Sequence, residues 1–346
     1  MRRKDFLTAM ATSALSLPAA ASVLAVEEPV RTFAVPPYLK RGDKIGITCP
    51  AGFITREAIQ PAVKQLESWG YEVVYGNTIG KRDFNFGGTD EERYRDLQEM
   101  INSKELSAIM CARGGYGVVR VIDKLNFNML KKYPKWLIGF SDITVIHSHL
   151  ARHQPVASIH SKMCNSFPDD WQKADAIQVA TILSIRDALA GKTMKYPVEP
   201  HPSNKPGAAT GALLGGNMKT LESLIGTTSD LPTKGAILFL EDTNEYLYSI
   251  DRMFRHLKRS GKLHGLAALV IGGFKVKPDD PGEEFGRTFY EIVSEIIKDV
   301  PYPVCFNFPV GHQKDNFALK CGVVHTLTVN NTSVTLEESA GTNIIN

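Results

Sequence analysis

Cysteine is scarce and scattered in this chain. Five occur in 346 residues (Cys49, Cys111, Cys164, Cys305 and Cys321), with no C-x-x-C pair among them. That pattern excludes a disulfide scaffold and a paired-cysteine zinc site. The thiols sit in apolar, strand-like runs and read as small buried hydrophobes, although an oxidising compartment would allow one pair to join. Net charge is also slight: the formal value is +3, of which Arg2, Arg3, Lys4 and Asp5 supply +2. The remainder lacks the clustered basic surface that a nucleic-acid partner needs. No apolar run reaches the ~18 residues of a membrane span; the best, Ala9 to Leu24, is broken by Pro18. There is no internal repeat. The 43% hydrophobic and 22% charged residues are ordinary globular values, and the length accommodates two domains with their own cores.

The start of the chain stands apart. A basic Met1-Arg2-Arg3-Lys4 precedes the apolar, alanine-rich run, which ends in small residues around Val23-Leu24-Ala25. This is the layout of a secretory signal peptide rather than a membrane anchor, and it predicts export to the periplasm with cleavage near Ala25. It also resembles a twin-arginine signal, Arg-Arg-x-Phe-Leu. Aligned on Phe6-Leu7, however, the pair is Arg3-Lys4, with Arg2 one place early.

Beyond it, strands and helices alternate. Asp43 to Cys49 reads as a strand, followed by a turn at Pro50-Ala51-Gly52 and a helix from Thr55 to about Trp69. Tyr71 to Tyr75 is a second strand, and Thr89-Asp90-Glu91-Glu92 has the capping-box form that opens a helix. Leu106 to Ala112 is strand-like and runs into Arg113-Gly114-Gly115-Tyr116-Gly117, with a helix predicted from Val118. Trp136 to Gly139 then leads through Phe140-Ser141-Asp142 into a helical pattern of Ile143, Ile146 and Leu150. Such alternation predicts a parallel, doubly wound sheet with ligands at the carboxyl ends of its strands.

The second half repeats the alternation with more strand. A helix over Gln172 to Leu189 leads into a proline-rich linker, Lys195 to Pro206. A strand then ends in Gly215-Gly216-Asn217, another in Leu240-Glu241-Asp242, and a third, from Val304, empties into Gly311-His312. A hairpin turning at Asn330-Asn331 closes the pattern. The fold class is therefore α/β: a parallel doubly wound N-terminal domain plus a smaller β-rich α/β C-terminal domain. The divisions are 1–25 signal, 26–166 first domain, 167–207 helix and linker, and 208–346 second domain.

Ser141, Glu241 and His312 each stand where an apolar strand-like run ends. A serine nucleophile needs a base to take its proton, and the base needs a carboxylate to fix its tautomer. These residue types supply that set, in an order that triads tolerate. Each also has a plainer reading. Ser141 or Asp142 can cap a helix, Glu241 can cap the next helix or pair with Arg252, and His312 can be a loop residue. Gly114-Gly115 suits either a tight turn or close approach to an oxyanion. No Lys-Ser/Thr follows these glycines, so a Walker-type loop is unsupported. His149 and His153 have the i, i+4 spacing of metal ligands but lack a third partner, and Cys111 has no adjacent base.

Together, Arg113-Gly114-Gly115-Tyr116-Gly117, Gly139-Phe140-Ser141-Asp142-Ile143-Thr144, Gly215-Gly216-Asn217, Leu240-Glu241-Asp242 and Gly311-His312 resemble the motifs of the LD-carboxypeptidase family of serine peptidases. That family includes muramoyl-tetrapeptide carboxypeptidases and microcin C immunity peptidases. The resemblance runs from about Leu39 to Leu336. It implies Ser141 as nucleophile, His312 and Glu241 completing the triad, and the amides of Gly115 and Asp142 as oxyanion hole. Arg113, Gly114, Tyr116 and Asn217 are the implied substrate contacts. It further implies a muropeptide substrate, no metal or cofactor, and a homodimer, while the slight charge and the Pro-broken signal run already argue against nucleic acid and a stable membrane anchor as partners. Two stretches depart from the family pattern. Asn244-Glu245-Tyr246-Leu247-Tyr248-Ser249 replaces Gly-Glu-Pro-x-Tyr-Arg, and Ser161-Lys162 follows Ile159-His160 where Gly-Pro is usual. The expected activity is release of terminal D-alanine from a peptidoglycan tetrapeptide. The alternatives are a microcin-type peptidase acting on a peptide-nucleotide antibiotic and a non-catalytic exported cell-wall-peptide binder.

Overall fold

Short apolar runs of the first half form five parallel strands: β1 (Lys44–Thr48), β2 (Glu72–Tyr75), β3 (Leu106–Cys111), β4 (Trp136–Gly139) and β5 (Ser158–His160). They come from a computed structural model that describes residues 32–339, so the export signal read from the sequence lies outside the described residues. β1, β3 and β4 are almost wholly buried, as strands covered on both faces must be. The spatial order is β2-β1-β3-β4-β5, with helices Gln60–Ser68, Asp90–Asn102 and Thr144–His153 in the connections. This is the doubly wound arrangement, and its strand order reverses between β1 and β3, where ligand crevices form. The helix Asp90–Asn102 starts as its sequence requires: Thr89 Oγ1 accepts from the Glu92 amide, and Glu92 accepts in return from the Thr89 amide at 2.9 Å.

The second half builds a seven-stranded sheet from β6 (Lys195–Val198), β7 (Gly207–Asn217), β8 (Ile237–Glu245), β9 (Ala268–Val276), β10 (Val304–Cys305), β12 (Val324–Val329) and β13 (Val334–Glu338). β7, β8, β9 and β10 run parallel, whereas β12, β13 and β6 extend the sheet antiparallel from the other side of β7. The largest core cluster takes Ile45 and Trp136 from one sheet and Phe239, Val270 and Leu327 from the other, so the two sheets share one interior.

Four local features differ from the sequence reading. Lys195–Val198 is not linker but an edge strand. Buried Tyr196 anchors it against Phe308 and Phe317, and Pro197 is tolerated because an edge needs no second donor. β11 (Leu319–Cys321), from the last part of the chain, joins the first sheet antiparallel to β5. The first helix begins only at Gln60: the Ala58 amide does donate to Thr55 Oγ1, but the chain there makes a separate turn closed by Gln60 N to Glu57 O at 3.1 Å, and Pro61 has no N–H to extend the helical ladder back toward Thr55. The helix expected from Val118 is two 3-10 turns, Val118–Arg120 and Ile122–Lys124, closed by Arg120 N to Gly117 O and Lys124 N to Val121 O, each at 3.1 Å. All five cysteines are free and buried. Among the described residues no helix is long and apolar enough to cross a membrane.

Candidate active site

β4 delivers Ser141 in a left-handed conformation, φ 64°, immediately before the helix. A non-glycine residue held there is strained, and such strain persists only where surrounding contacts fix it. The close strand-to-helix approach depends on Gly139, where a Cβ would lie 2.9 Å from Ile143 Cγ1. The Ser141 hydroxyl meets His312 Nε2 at 3.2 Å, and His312 Nδ1 meets Glu241 Oε2 at 2.6 Å. With a carboxylate on Nδ1, that nitrogen carries the proton and Nε2 is left to accept from Ser141.

The partners of Ser141 come from the other sheet. Glu241 sits fully buried in the middle of β8, which runs on to Glu245 instead of ending at Leu240-Glu241-Asp242, and it is level with Asn217 at the end of β7; its Oε1 has no partner among the described residues. His312 lies on the loop after β10. Gly311, at φ 114°, lets this loop pass Glu241: a Cβ there would come 2.6 Å from Glu241 Cβ. Asn316 Oδ1 holds the Gly311 amide at 2.8 Å, and Val310 O accepts from Gly273 N at 2.8 Å, which pins the loop to β9. The His312 ring packs 4.9 Å, centroid to centroid, from that of Phe140.

The two amides expected to face an oxyanion are near this serine. Asp142 precedes the first helical donor, Ile143 N to Phe140 O at 3.3 Å, so its amide is among those a helix leaves without an internal partner. Gly115 adopts φ 111°, and no acceptor among the described residues takes its amide. Its neighbour Gly114 lies against the nucleophile: a Cβ there would sit 3.0 Å from Ser141 Cβ.

Two buried side chains hold this loop: Asp142, whose carboxylate takes a role the sequence reading did not give it, and Arg93, which that reading missed. The Asp142 carboxylate accepts from the Val118 amide at 2.9 Å, and burial pushes its carboxyl up to about 6. Arg93, also fully buried, donates to Pro50 O at 2.7 Å, Gly117 O at 2.9 Å and Gly88 O at 3.2 Å, and pairs with Asp90. Its signal was readable: Arg93 shares a helical face with Leu97, Met100 and Ile101, an arginine where the pattern calls for an apolar residue.

The expected substrate contacts divide. Gly114 is in the site. Arg113 donates to Phe53 O at 3.0 Å and braces the turn after β1, while Tyr116 is 58% exposed beside Phe86. Asn217 is otherwise committed. Its Oδ1 accepts from the Thr220 amide at 3.0 Å, its Nδ2 donates to Asp242 at 3.0 Å, and its backbone amide donates to Thr144 Oγ1 at 3.1 Å. It caps the helix Met218–Leu224 and ties the second sheet to the helix after Ser141. His149 and His153 bond to Ser229 and Thr228, and burial drives the Cys111 thiol well above its ordinary range.

Comparison with known proteins agrees with this architecture. Residues 45–161 match the LD-carboxypeptidase N-terminal domain and residues 210–327 the LD-carboxypeptidase C-terminal domain. The chain is 30% identical over 292 residues to the murein tetrapeptide carboxypeptidase of Pseudomonas aeruginosa, covering 83% of this chain and 94% of that one. The crystal structure of muramoyltetrapeptide carboxypeptidase from Oxalobacter formigenes superposes with a TM-score of 0.76 at 29% identity, covering 86% of this chain and 98% of the other. The microcin C7 self-immunity protein of Escherichia coli is more distant, 23% identical over 326 residues, covering 86% of this chain and 94% of its own.

Proposed function

The chain belongs to the LD-carboxypeptidase family, and from that premise we propose that it is a serine LD-carboxypeptidase releasing terminal D-alanine from peptidoglycan tetrapeptides. The observation that carries this reading is the continuous hydrogen-bonded run Ser141–His312–Glu241, formed across two sheets beside an uncommitted glycine amide.

In the reaction, the Ser141 oxygen attacks the L,D carbonyl while His312 Nε2 takes the hydroxyl proton. Glu241 holds Nδ1–H and stabilises the imidazolium. The carbonyl oxygen becomes an oxyanion between the amides of Gly115 and Asp142. Collapse breaks the C–N bond, and His312 passes its proton to the departing amine of D-alanine. Water then enters, gives a proton to the same base and attacks the acyl-enzyme. The tripeptide acid leaves and Ser141 regains its proton.

The proposal includes export of the chain and a homodimer, both open to direct measurement by fractionation and sedimentation. The murein substrate is preferred over a peptide-nucleotide because the murein tetrapeptide carboxypeptidase of Pseudomonas aeruginosa is 30% identical to the chain, the microcin immunity protein only 23%. The decisive test is incubation with a muropeptide tetrapeptide, read by mass spectrometry. Loss of one alanine, absent in Ser141→Ala, supports the reading. A folded wild type that leaves the tetrapeptide intact overturns it.

A further inference from the structure

One half-buried cation stands beside this site with no assigned task. Lys162 follows β5, at the same carboxyl edge from which Ser141 leaves β4, and the adjacent Met163 packs against Gly114. The Lys162 ammonium donates to Gln313 O at 2.6 Å, the residue directly after His312. It also lies 5.6 Å from the centre of the Phe140 ring, directly before Ser141. Nζ thus stands between the chain neighbours of the base and of the nucleophile. Burial lowers its pKa, while Asp315 and Glu241 oppose this from a distance. It forms no ion pair with a carboxylate of the described residues, and two of its three donors are uncommitted.

A carboxypeptidase must recognise a free carboxylate, and chemistry dictates where. In the leaving amino acid, the carboxylate is two bonds from the amine that His312 protonates. The cation that reads it must therefore sit beside His312. Arg113, another cation near the site, is committed to Phe53 O in the turn after β1. We propose that Lys162 binds the terminal α-carboxylate of the substrate and is the residue that makes the site select peptides with a free C-terminus. The assignment rests on the proposed carboxypeptidase reaction and adds to it the group that reads chain termination.

The experiment compares a tetrapeptide ending in D-alanine with the same peptide ending in D-alanine amide. Wild type, Lys162→Met, Lys162→Arg and Arg113→Met enzymes are assayed on both. Wild type is expected to favour the acid. Lys162→Met should lower kcat/KM on the acid by about 10- to 100-fold, the worth of a charge-assisted bond, and leave the amide nearly unchanged. Lys162→Arg should recover part of the preference. Equal losses on acid and amide would assign Lys162 a role in holding the Gln313 loop and overturn the proposal. So would an intact preference in Lys162→Met, or its disappearance in Arg113→Met alone. A folded wild type that cleaves neither peptide would remove the carboxypeptidase reading itself, and this assignment with it.

Discussion

Ser141 stands just past the end of a buried parallel strand and Glu241 in the middle of another, and the chain holds them by different means. Ser141 leaves its strand at φ 64°, within loops whose glycines at 52, 114 and 115 pack against one another and against the serine. That half of the site is strained backbone, and buried Arg93 and Asp142 grip its carbonyls and amides. Glu241 never leaves its strand. Ladder pairing fixes its height against Asn217 on β7, and only the His312 loop must be steered to it. One half depends on backbone geometry, the other on a side chain fixed in a sheet and a histidine loop pinned against it. Disturbing the first should therefore degrade activity by degrees, whereas changing the second should remove a chemical step outright.

The nucleophile itself aside, the largest effects should then fall in the second half. His312→Ala is expected to lower kcat on the tetrapeptide by on the order of 10⁴-fold, and Glu241→Gln by roughly 10³- to 10⁴-fold, because an amide cannot stabilise the imidazolium or enforce the tautomer. Stopped assays with unchanged circular dichroism would check both. A Glu241→Gln enzyme retaining a tenth of wild-type kcat would break the contrast. Next come the loop clamps. Asp142→Ala leaves the buried Val118 amide without its acceptor and lets the glycine loop drift, so kcat should drop about 10- to 100-fold with KM little changed. Asp142→Asn keeps one acceptor oxygen and should fall less. If both variants lose as much as His312→Ala, the first half is as absolute as the second.

Legibility in the sequence followed the same division. The turn around Ser141 was readable because its cause is local: an apolar strand, small residues and a helical pattern within a dozen positions. The doubly wound sheet was readable from alternation, and the Thr89 capping box from spacing. Proximity of Glu241 and His312 to Ser141 was not written in any window of residues. It arises from the order of strands in two sheets and from Gly311 yielding space to Glu241. β6 was hidden because Pro197 reads as a breaker, although an edge position removes the objection. β11 was hidden because three residues crossing between sheets leave no periodicity.

Acid should expose a further dependence in the nucleophile half. His147 is fully enclosed beneath β4, its Nε2 on Gly139 O at 2.9 Å and its Nδ1 on Ser158 Oγ at 2.8 Å. Burial lowers its pKa to about 4 from the ordinary 6.5. Its folded-state pKa lies below the unfolded one, so the associated stability is complete above pH ~6.5 and is lost as pH falls toward 4. Wild type should lose about 2 kcal/mol from this group between pH 7 and 4.5. His147→Gln should show a shallower acid limb in urea titrations by that amount, whatever its stability at neutral pH. Parallel limbs would mean that His147 does not couple proton binding to the folding of this half.

The joint between the halves gives the smallest expected effect and the sharpest discrimination. Asn217 resembles a substrate contact by motif, yet it is 6% exposed and its amide is divided between the Thr220 amide and Asp242. Asn217→Ala removes a helix cap worth about 1 kcal/mol. Asp242 would still accept from the amides of Lys219 at 2.9 Å and Thr243 at 2.8 Å, so its buried carboxylate stays satisfied. Urea unfolding should therefore show a loss of about 1 to 2 kcal/mol, while KM for the tetrapeptide stays within about twofold, since uniform binding is untouched. A tenfold rise in KM with stability intact would reverse the assignment and return Asn217 to the substrate. The seam between the sheets would then be part of the binding surface, and the two halves could no longer be treated as separate devices.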